Sequence, residues 1–337
     1  MYAPSVTADR IAKIGHAFQE AKALLSAVEL GVFTVLSEGP LDATALTRRL
    51  SIDVRGARDF FDALVALGLL DRDDDGRYAN AVDTAFYLDR NKSSYLGDEL
   101  EFLNAQLYAR WDSLTTALRS GKPQSGAGAA GNYPTRYADT ATLENFAKAM
   151  TALTLPVARA LANRFPWQNH RTVCDIGGAE GCLPVELALA HQHLTGGGFD
   201  LPPLGPLFVR YTDAHGCSNR LRFHAGDFFR DPLPAADVLV MGRILHNWDM
   251  ATKKMLLAKA LDALPTGGAL IVYERLIDDE RRTNVAGLLA SLNMLIMTAG
   301  GFDYTGADCS GWMREIGFRH IRVEPLTTAQ SMVVGIK

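Results

Sequence analysis

The chain has 337 residues, of which 48% are hydrophobic and 21% charged, a length that calls for two globular domains with a core in each. Its formal net charge of -4 speaks against nucleic-acid or anionic-membrane partners, which demand a basic face. Four scattered cysteines, Cys174, Cys182, Cys217 and Cys309, show no Cys-x-x-Cys pairing, which argues against zinc ligation and a disulfide framework.

Met1–Arg10 has no basic segment leading into an apolar run, and no uninterrupted apolar stretch reaches the about 18 residues of a membrane span. A cytoplasmic protein with reduced thiols is the expectation. From Ile11 to Leu36 apolar residues recur at helical spacing up to Gly31, a helix stop. Asp42 caps a helix over 43–50 and Asp53 caps a second over 56–67, whose Phe60, Phe61, Leu64 and Leu67 share a face. A hairpin follows, Leu69–Arg72 and Arg77–Ala79 joined by Asp73-Asp74-Asp75-Gly76. Two helices and a hairpin outline a winged helix over 1–100. The three aspartates at its tip would face phosphates, and the second helix offers only Arg55 and Arg58 near its start. The module is therefore read as a packing and dimerisation domain, with apolar helices from Ile11 onward supplying the face.

Residues 101–165 read as a helical, pocket-forming linker. A helix between Asp98 and Leu118 carries Phe102, Leu103, Leu107, Trp111 and Leu114 on one stripe. The stretch 121–131 lacks periodicity and reads as a flexible loop. From Thr142 a helical pattern runs to about Phe165, bent or restarted at Pro156. It delivers Phe146, Met150 and Thr154 just ahead of a glycine turn.

That turn, Val173-Cys174-Asp175-Ile176-Gly177-Gly178-Ala179-Glu180-Gly181, reads as a buried strand, a tight turn and a helix start. Gly177 and Gly178 can adopt positive φ and bring backbone N–H groups close to a ligand, while Gly181 lets helix and loop approach without a Cβ between them. A dinucleotide fingerprint would place glycine where Ala179 stands. The carboxylates of Asp175 and Glu180 suit a cationic ligand instead, such as S-adenosylmethionine with its ammonium and sulfonium. A second strand ends at Asp200, 23 residues beyond Gly177, near the position of a ribose-binding acid. A third runs into Gly226-Asp227-Phe228, an acid and a ring suited to adenine. From 166 to 337 strands and helices alternate, with closing strands at 319–325 and 331–336. This is a doubly wound α/β sheet, whose ligands lie outside the carboxyl ends of its strands.

The fourth strand ends in Met241-Gly242-Arg243-Ile244-Leu245-His246-Asn247-Trp248-Asp249, where such a sheet presents a substrate. A neutral imidazole at His246 could take a proton from a phenol near neutral pH, so that positioning and proton removal carry the catalysis and no metal is required. Glu274 closes the fifth strand, where it could hold the imidazole in one tautomer. Asp308 opens the last helix and suits an N-cap at least as well as catalysis. The apolar helix after Asn284, with Asn293, Met294 and Met297, could line a pocket for a flat substrate together with Phe146 and Trp248.

These motifs in this order, with Gly198-Phe199-Asp200-Leu201-Pro202-Pro203 and Gly267-Gly268-Ala269-Leu270, resemble the class I S-adenosylmethionine-dependent O-methyltransferases of the caffeate and hydroxyindole type, including bacterial polyketide-tailoring members. The resemblance implies a Rossmann-like catalytic domain behind a winged-helix dimerisation domain. It also implies a homodimer whose partner segment helps close the pocket, and a hydroxylated aromatic substrate. Position by position it assigns Gly177 and Gly181 to the methionine end, Asp200 with Leu201 to the ribose, and Gly226, Asp227 and Phe228 to the adenine. Met150, Thr154 and Arg243 would flank the donor, and His246 would be the general base. Two positions depart from the family pattern: Asn247 replaces an expected Asp, and Asp308 stands near the position at which relatives often carry a second Glu against the base. A winged-helix regulator that binds the cofactor without turnover, and a non-methylating reaction on the same scaffold, are the competing readings.

Overall fold

The computed structural model describes residues 6–92, 94–124 and 139–337. It divides into two compact units, Met1–Ala109 and Arg110–Lys337. In the first, α1 (Asp9–Glu29) ends before Gly31, whose φ of +74° is the left-handed turn that glycine permits, and α2 (Val32–Val35) follows. The side chains of Asp42 and Asp53 cap α3 (Ala43–Leu50) and α4 (Val54–Ala66). Strands β1 (Leu70–Arg72) and β2 (Tyr78–Asn80) pair antiparallel, and α5 (Val82–Tyr87) comes next. Phe33, Leu46, Phe61, Leu64 and Tyr78 form the centre of this unit's core. The winged-helix outline is thus present.

The helix expected between Asp98 and Leu118 is not continuous. It is α6 (Gly97–Phe102), a π-helical stretch over Leu103–Tyr108, a 3-10 stretch over Ala109–Ser113 and α7 (Leu114–Ser120). Side-chain bonds to α1 pin the widened turn: Asn104 accepts from Lys22 and donates to Glu29, and Tyr108 donates to the Phe18 carbonyl. Such contacts outweigh the regular ladder that periodicity implies. The loop expected over 121–131 lies, from residue 125 on, outside the described residues.

In the second unit, α8 (Thr140–Arg164) runs unbroken, with Pro156 inside it on the exposed side. Then β3 (Thr172–Ile176), α9 (Cys182–Ala190), β4 (Thr195–Asp200), α10 (Gly205–Ala214), β5 (Leu221–Ala225), β6 (Val238–Gly242), α11 (Met250–Ala263) and β7 (Ala269–Glu274) alternate. The chain closes with α12 (Val285–Met297), α13 (Gly306–Ile316), β8 (Arg319–Pro325) and β9 (Ser331–Ile336). The seven strands lie in the order β5-β4-β3-β6-β7-β9-β8, parallel except that β9 runs antiparallel to both β7 and β8. One face packs on α8 and α9 through Leu161, Leu183 and Leu187; the other packs on α11 and α13 through Leu256, Leu257 and Met313. Strand order reverses between β3 and β6, so their carboxyl ends flank the crevice in which doubly wound sheets bind ligands. No described helix is long and apolar enough to cross a membrane.

Candidate active site

The turn after β3 is shaped by what its neighbours leave free. Gly177 has φ +77°, and a Cβ there would stand 2.3 Å from Ile244 Cδ1; one at Gly178 would stand 2.5 Å from Asp175 Oδ2. Ala179 holds a left-handed φ of +49° and donates its N–H to Asp200 Oδ2 at 3.0 Å, a conformation that costs energy in a residue with a Cβ. The Leu201 N–H donates to Asp200 Oδ1 at 2.7 Å. Both oxygens of Asp200 are thereby aimed by backbone and retain lone pairs for hydroxyl donors. The Glu180 carboxylate turns away to accept from Thr151 Oγ1 at 2.6 Å.

Burial pushes Asp175 up to about 8, with Asp200 adding repulsion, and burial pushes Asp200 up to about 6 against the pull of the Leu201 and Ala179 N–H groups. Two carboxyls of raised pKa, Asp175 buried and Asp200 half-buried, are a donor set that fits a cationic, hydroxylated ligand. S-adenosylmethionine is such a ligand, and Asp175, Asp200 and the turn 177–181 are the residues that would hold it. Gly226 donates to the Asp200 carbonyl, and Asp227 Oδ1 accepts from Phe229 N at 2.9 Å. Trp248 stands edge-on to Phe228 and Phe229, with ring centroids 5.9 and 4.8 Å away. Arg243, at φ +57°, directs a guanidinium nitrogen to within 3.3 Å of Met150 Sδ. Phe146, expected against substrate, packs with Met150, Leu201 and Ala179, on the donor turn. Thr154 shares α8 with it.

His246 sits in a 3-10 turn after β6 (Leu245–Asn247). Asn247 Nδ2 donates to the carbonyls of Arg243 and Ile244 at 3.0 and 3.3 Å. An Asp here would have no N–H to give, so the departure at Asn247 serves to tie the turn. The backbone N–H of His246 donates to Glu274 Oε1 at 3.3 Å, and its Nδ1 lies 3.6 Å from Glu274 Oε2. Nδ1 also lies 3.2 Å from Asp303 Oδ1. Both carboxylate side chains are 1% exposed and the imidazole 16%. Burial alone would lower the imidazole pKa, but Glu274 and then Asp303 outweigh it and hold His246 above its ordinary 6.5. Burial raises Glu274 to about 7, against the pull of His246. The ligand atoms of the three lie within 4.8 Å of one another, as those of a metal site would. The same distances suit an Nδ1–H that donates to the two acids and leaves Nε2 for another partner.

The acid set beside His246 Nδ1 together with Glu274 is Asp303, which sequence reasoning missed. Asp308 forms a reciprocal capping box with Thr305, its Oδ2 accepting from Thr305 N at 3.0 Å and its N donating to Thr305 Oγ1 at 3.0 Å. The Thr-x-x-Asp spacing is the signal that retires Asp308 and leaves Asp303 in view. On α12, Met294 and Met297 are buried, and Met297 Sδ lies 3.6 Å from Arg110 Nη1. Asn293 beside them has a buried Oδ1 without a hydrogen-bond partner among the described residues.

Comparison with known proteins places residues 111–319 in the O-methyltransferase domain family and 13–90 in the O-methyltransferase dimerisation domain family. The tetracenomycin polyketide synthesis 8-O-methyl transferase of Streptomyces glaucescens is 40% identical over 97% of this chain and 96% of that protein. An N,N-dimethyltransferase of Streptomyces rimosus is also 40% identical, over 99% of this chain and 98% of its own. Human N-acetylserotonin methyltransferase, solved in complex with S-adenosylmethionine, superposes with a TM-score of 0.91 at 26% identity, covering 100% of this chain and 99% of that one.

Proposed function

The chain belongs to the S-adenosylmethionine-dependent O-methyltransferases, with that family's dimerisation domain, and on this premise we propose that it methylates a hydroxyl of an aromatic or polyketide-like small molecule with His246 as general base. The observation that carries the proposal is the imidazole after β6 with its Nδ1 turned to two buried acids. A ring so held presents Nε2 to an acceptor in one tautomer, and its raised pKa makes it a stronger proton acceptor. When bound, S-adenosylmethionine would supply an electrophilic methyl on its sulfonium, to be passed to the acceptor oxygen with the thioether S-adenosylhomocysteine as leaving group. Asp175, Asp200 and the glycine turn bind and orient that donor. His246 receives the acceptor's hydroxyl proton, and Glu274 and Asp303 stabilise the imidazolium that results. Met294 and Met297 offer adaptable apolar walls to a flat acceptor.

The N,N-dimethyltransferase relative leaves the acceptor atom to experiment. Mass spectrometry after incubation with isotope-labelled donor and matched panels of phenols, polyketide phenols and amines is the test. Labelled methyl ethers are the expected product. Methylation of amines alone would move the reading to nitrogen, and cofactor binding without transfer to any acceptor would overturn it. Assembly as a homodimer through the N-terminal unit belongs to the same proposal, supported by the dimerisation-domain match and the exposed Ile11, Ile14 and Phe18 on α1.

A further inference from the structure

Lys253 is 0% exposed. It lies on the buried stripe of α11 with Leu256, Leu257 and Ala260, where packing alone would favour an apolar residue. Its Nζ donates to the Trp248 carbonyl at 2.5 Å and stands 3.4 Å from the centroid of the Phe302 ring and 5.6 Å from that of Tyr304. Trp248 lies two residues after His246, while Phe302 and Tyr304 flank Asp303. One ammonium therefore touches both the segment that presents the base and the segment that presents its acid.

The titratable groups around it come from several neighbouring elements: Glu274 from β7, Asp303 from the segment before α13, Asp249 from the N-cap of α11 itself, and from α13 the Cys309 thiol, which burial keeps protonated. Arg243 and the Tyr304 hydroxyl also face Glu274. Glu274 Oε2 and Asp303 Oδ2 are buried without a hydrogen-bond partner among the described residues, so each acid keeps one oxygen without the donor that usually stabilises buried charge. Burying a lysine is costly too, and burial brings Lys253 down to about 8 although the nearby acids oppose the change. A buried ammonium persists where it offsets charge of the other sign.

We propose that Lys253 is a positioning residue for methyl transfer: its ammonium partly neutralises Glu274 and Asp303 and ties the Trp248 carbonyl to the Phe302–Tyr304 segment, keeping His246 neutral in a fixed pose between two acids. The inference rests on the reading of His246 as the base. Without the ammonium, two poorly solvated carboxylates would face the imidazole alone, and the cluster would hold its last proton to higher pH. An imidazolium accepts no proton, so the base would be idle at neutral pH.

The test is Lys253→Met in the full-length protein, with histidine ring resonances followed against pH and His246 assigned by comparison with His246→Ala. The expected result is an upward move of the His246 midpoint by about one unit or more. The acid limb of the kcat/KM profile should move with it and the high-pH plateau should fall, because the tie between the Trp248 carbonyl and the Phe302–Tyr304 segment is lost, while S-adenosylmethionine affinity stays near wild type. Should the Met variant not fold, Lys253→Gln carries the same expectation. Lys253→Arg, which keeps the charge, leaves the midpoint where the wild type has it. A midpoint unmoved in the charge-removing variants overturns the proposal, since a packing role alone would alter stability and not titration, and leaves the general-base reading standing. A midpoint that moves while the acid limb stays fixed overturns the general-base reading, and with it any role for Lys253 in the reaction.

Discussion

Nδ1 of His246 lies 3.2 Å from Oδ1 of Asp303, a residue 57 positions farther along the chain. The approach depends on a glycine pair. A Cβ on Gly301 would stand 2.5 Å from the His246 carbonyl, and one on Gly300 would stand 2.9 Å from the Asp249 Cβ. The segment carrying Asp303 therefore passes directly over the backbone that carries the base. Ser291 Oγ accepts from Asp303 N at 3.1 Å, and Ile277 N donates to the Tyr304 carbonyl at 2.9 Å, which fixes the acid's height above the sheet.

His246→Ala is expected to lower kcat by ~10²–10⁴-fold, the contribution of a positioned base, and to leave donor affinity intact. Because the carboxylates hold the imidazole above 6.5, wild-type kcat/KM falls as pH drops through a value above 6.5, where the base becomes protonated. The defect in the variant shrinks as pH rises toward the acceptor hydroxyl's own pKa, when solvent can remove the proton instead. Steady-state rates across pH with isothermal calorimetry for donor binding check both parts.

Glu274→Gln and Asp303→Asn each remove a negative charge from the imidazole and should move the acid limb of kcat/KM downward. Each should also lower the plateau, because the imidazolium formed in the reaction loses a stabilising partner. Neither should matter further once His246 is alanine, with a coupling of about 0.5–3 kcal/mol in the double-mutant cycle. Asp308→Asn should leave the profile in place and lower only the melting temperature. An acid limb displaced by Asp308→Asn and not by Asp303→Asn would reverse the assignment.

Asp200→Ala is expected to weaken S-adenosylmethionine binding by about 1.5–3 kcal/mol, the range for hydrogen bonds to a charged group. Burial holds Asp175 at about 8 and Asp200 at about 6, so at neutral pH the free site retains a proton. A cationic donor favours the carboxylates; its binding should release protons and tighten as pH rises from about 6 to about 8. Calorimetry in phosphate and in Tris reads the release as a buffer-dependent enthalpy. The ligand-free protein has the opposite trend. Its folded-state pKa values at these two acids lie above the unfolded value near 3.8, so their contribution to stability is present at low pH and is lost as pH climbs to about 8.

Ile14→Glu, alone or with Phe18→Glu, should convert a dimer to a monomer in sedimentation velocity without unfolding it. Ile11, Ile14 and Phe18 are 69%, 66% and 58% exposed on α1, within or beside the dimerisation-domain match and without cover from the rest of their unit. Unchanged sedimentation would remove this face from the interface.

Local motifs are legible in the sequence because their geometry is set within a few residues. The glycine turn after β3, the acids at the ends of β3 and β4, the caps at Asp42 and Asp53, and the hairpin of β1 and β2 all follow from φ preferences, capping and strand periodicity. A parallel sheet then sets the strand ends side by side, which is why Asp175, Asp200 and His246 group together on the order of their motifs alone. Tertiary packing decided which acid meets the base: the Gly300-Gly301 segment carries Asp303 over the His246 backbone, while Asp308 is engaged locally in the capping box with Thr305. It also placed Phe146 on the donor turn and widened the helix after α6, because contacts with distant elements outweigh helical spacing. Lys253 shows the division in one residue: the sequence set it in register with Leu256, Leu257 and Ala260, but a lysine is exposed by default. Only the fold, by enclosing it between two buried carboxylates and two aromatic rings, made it part of the site.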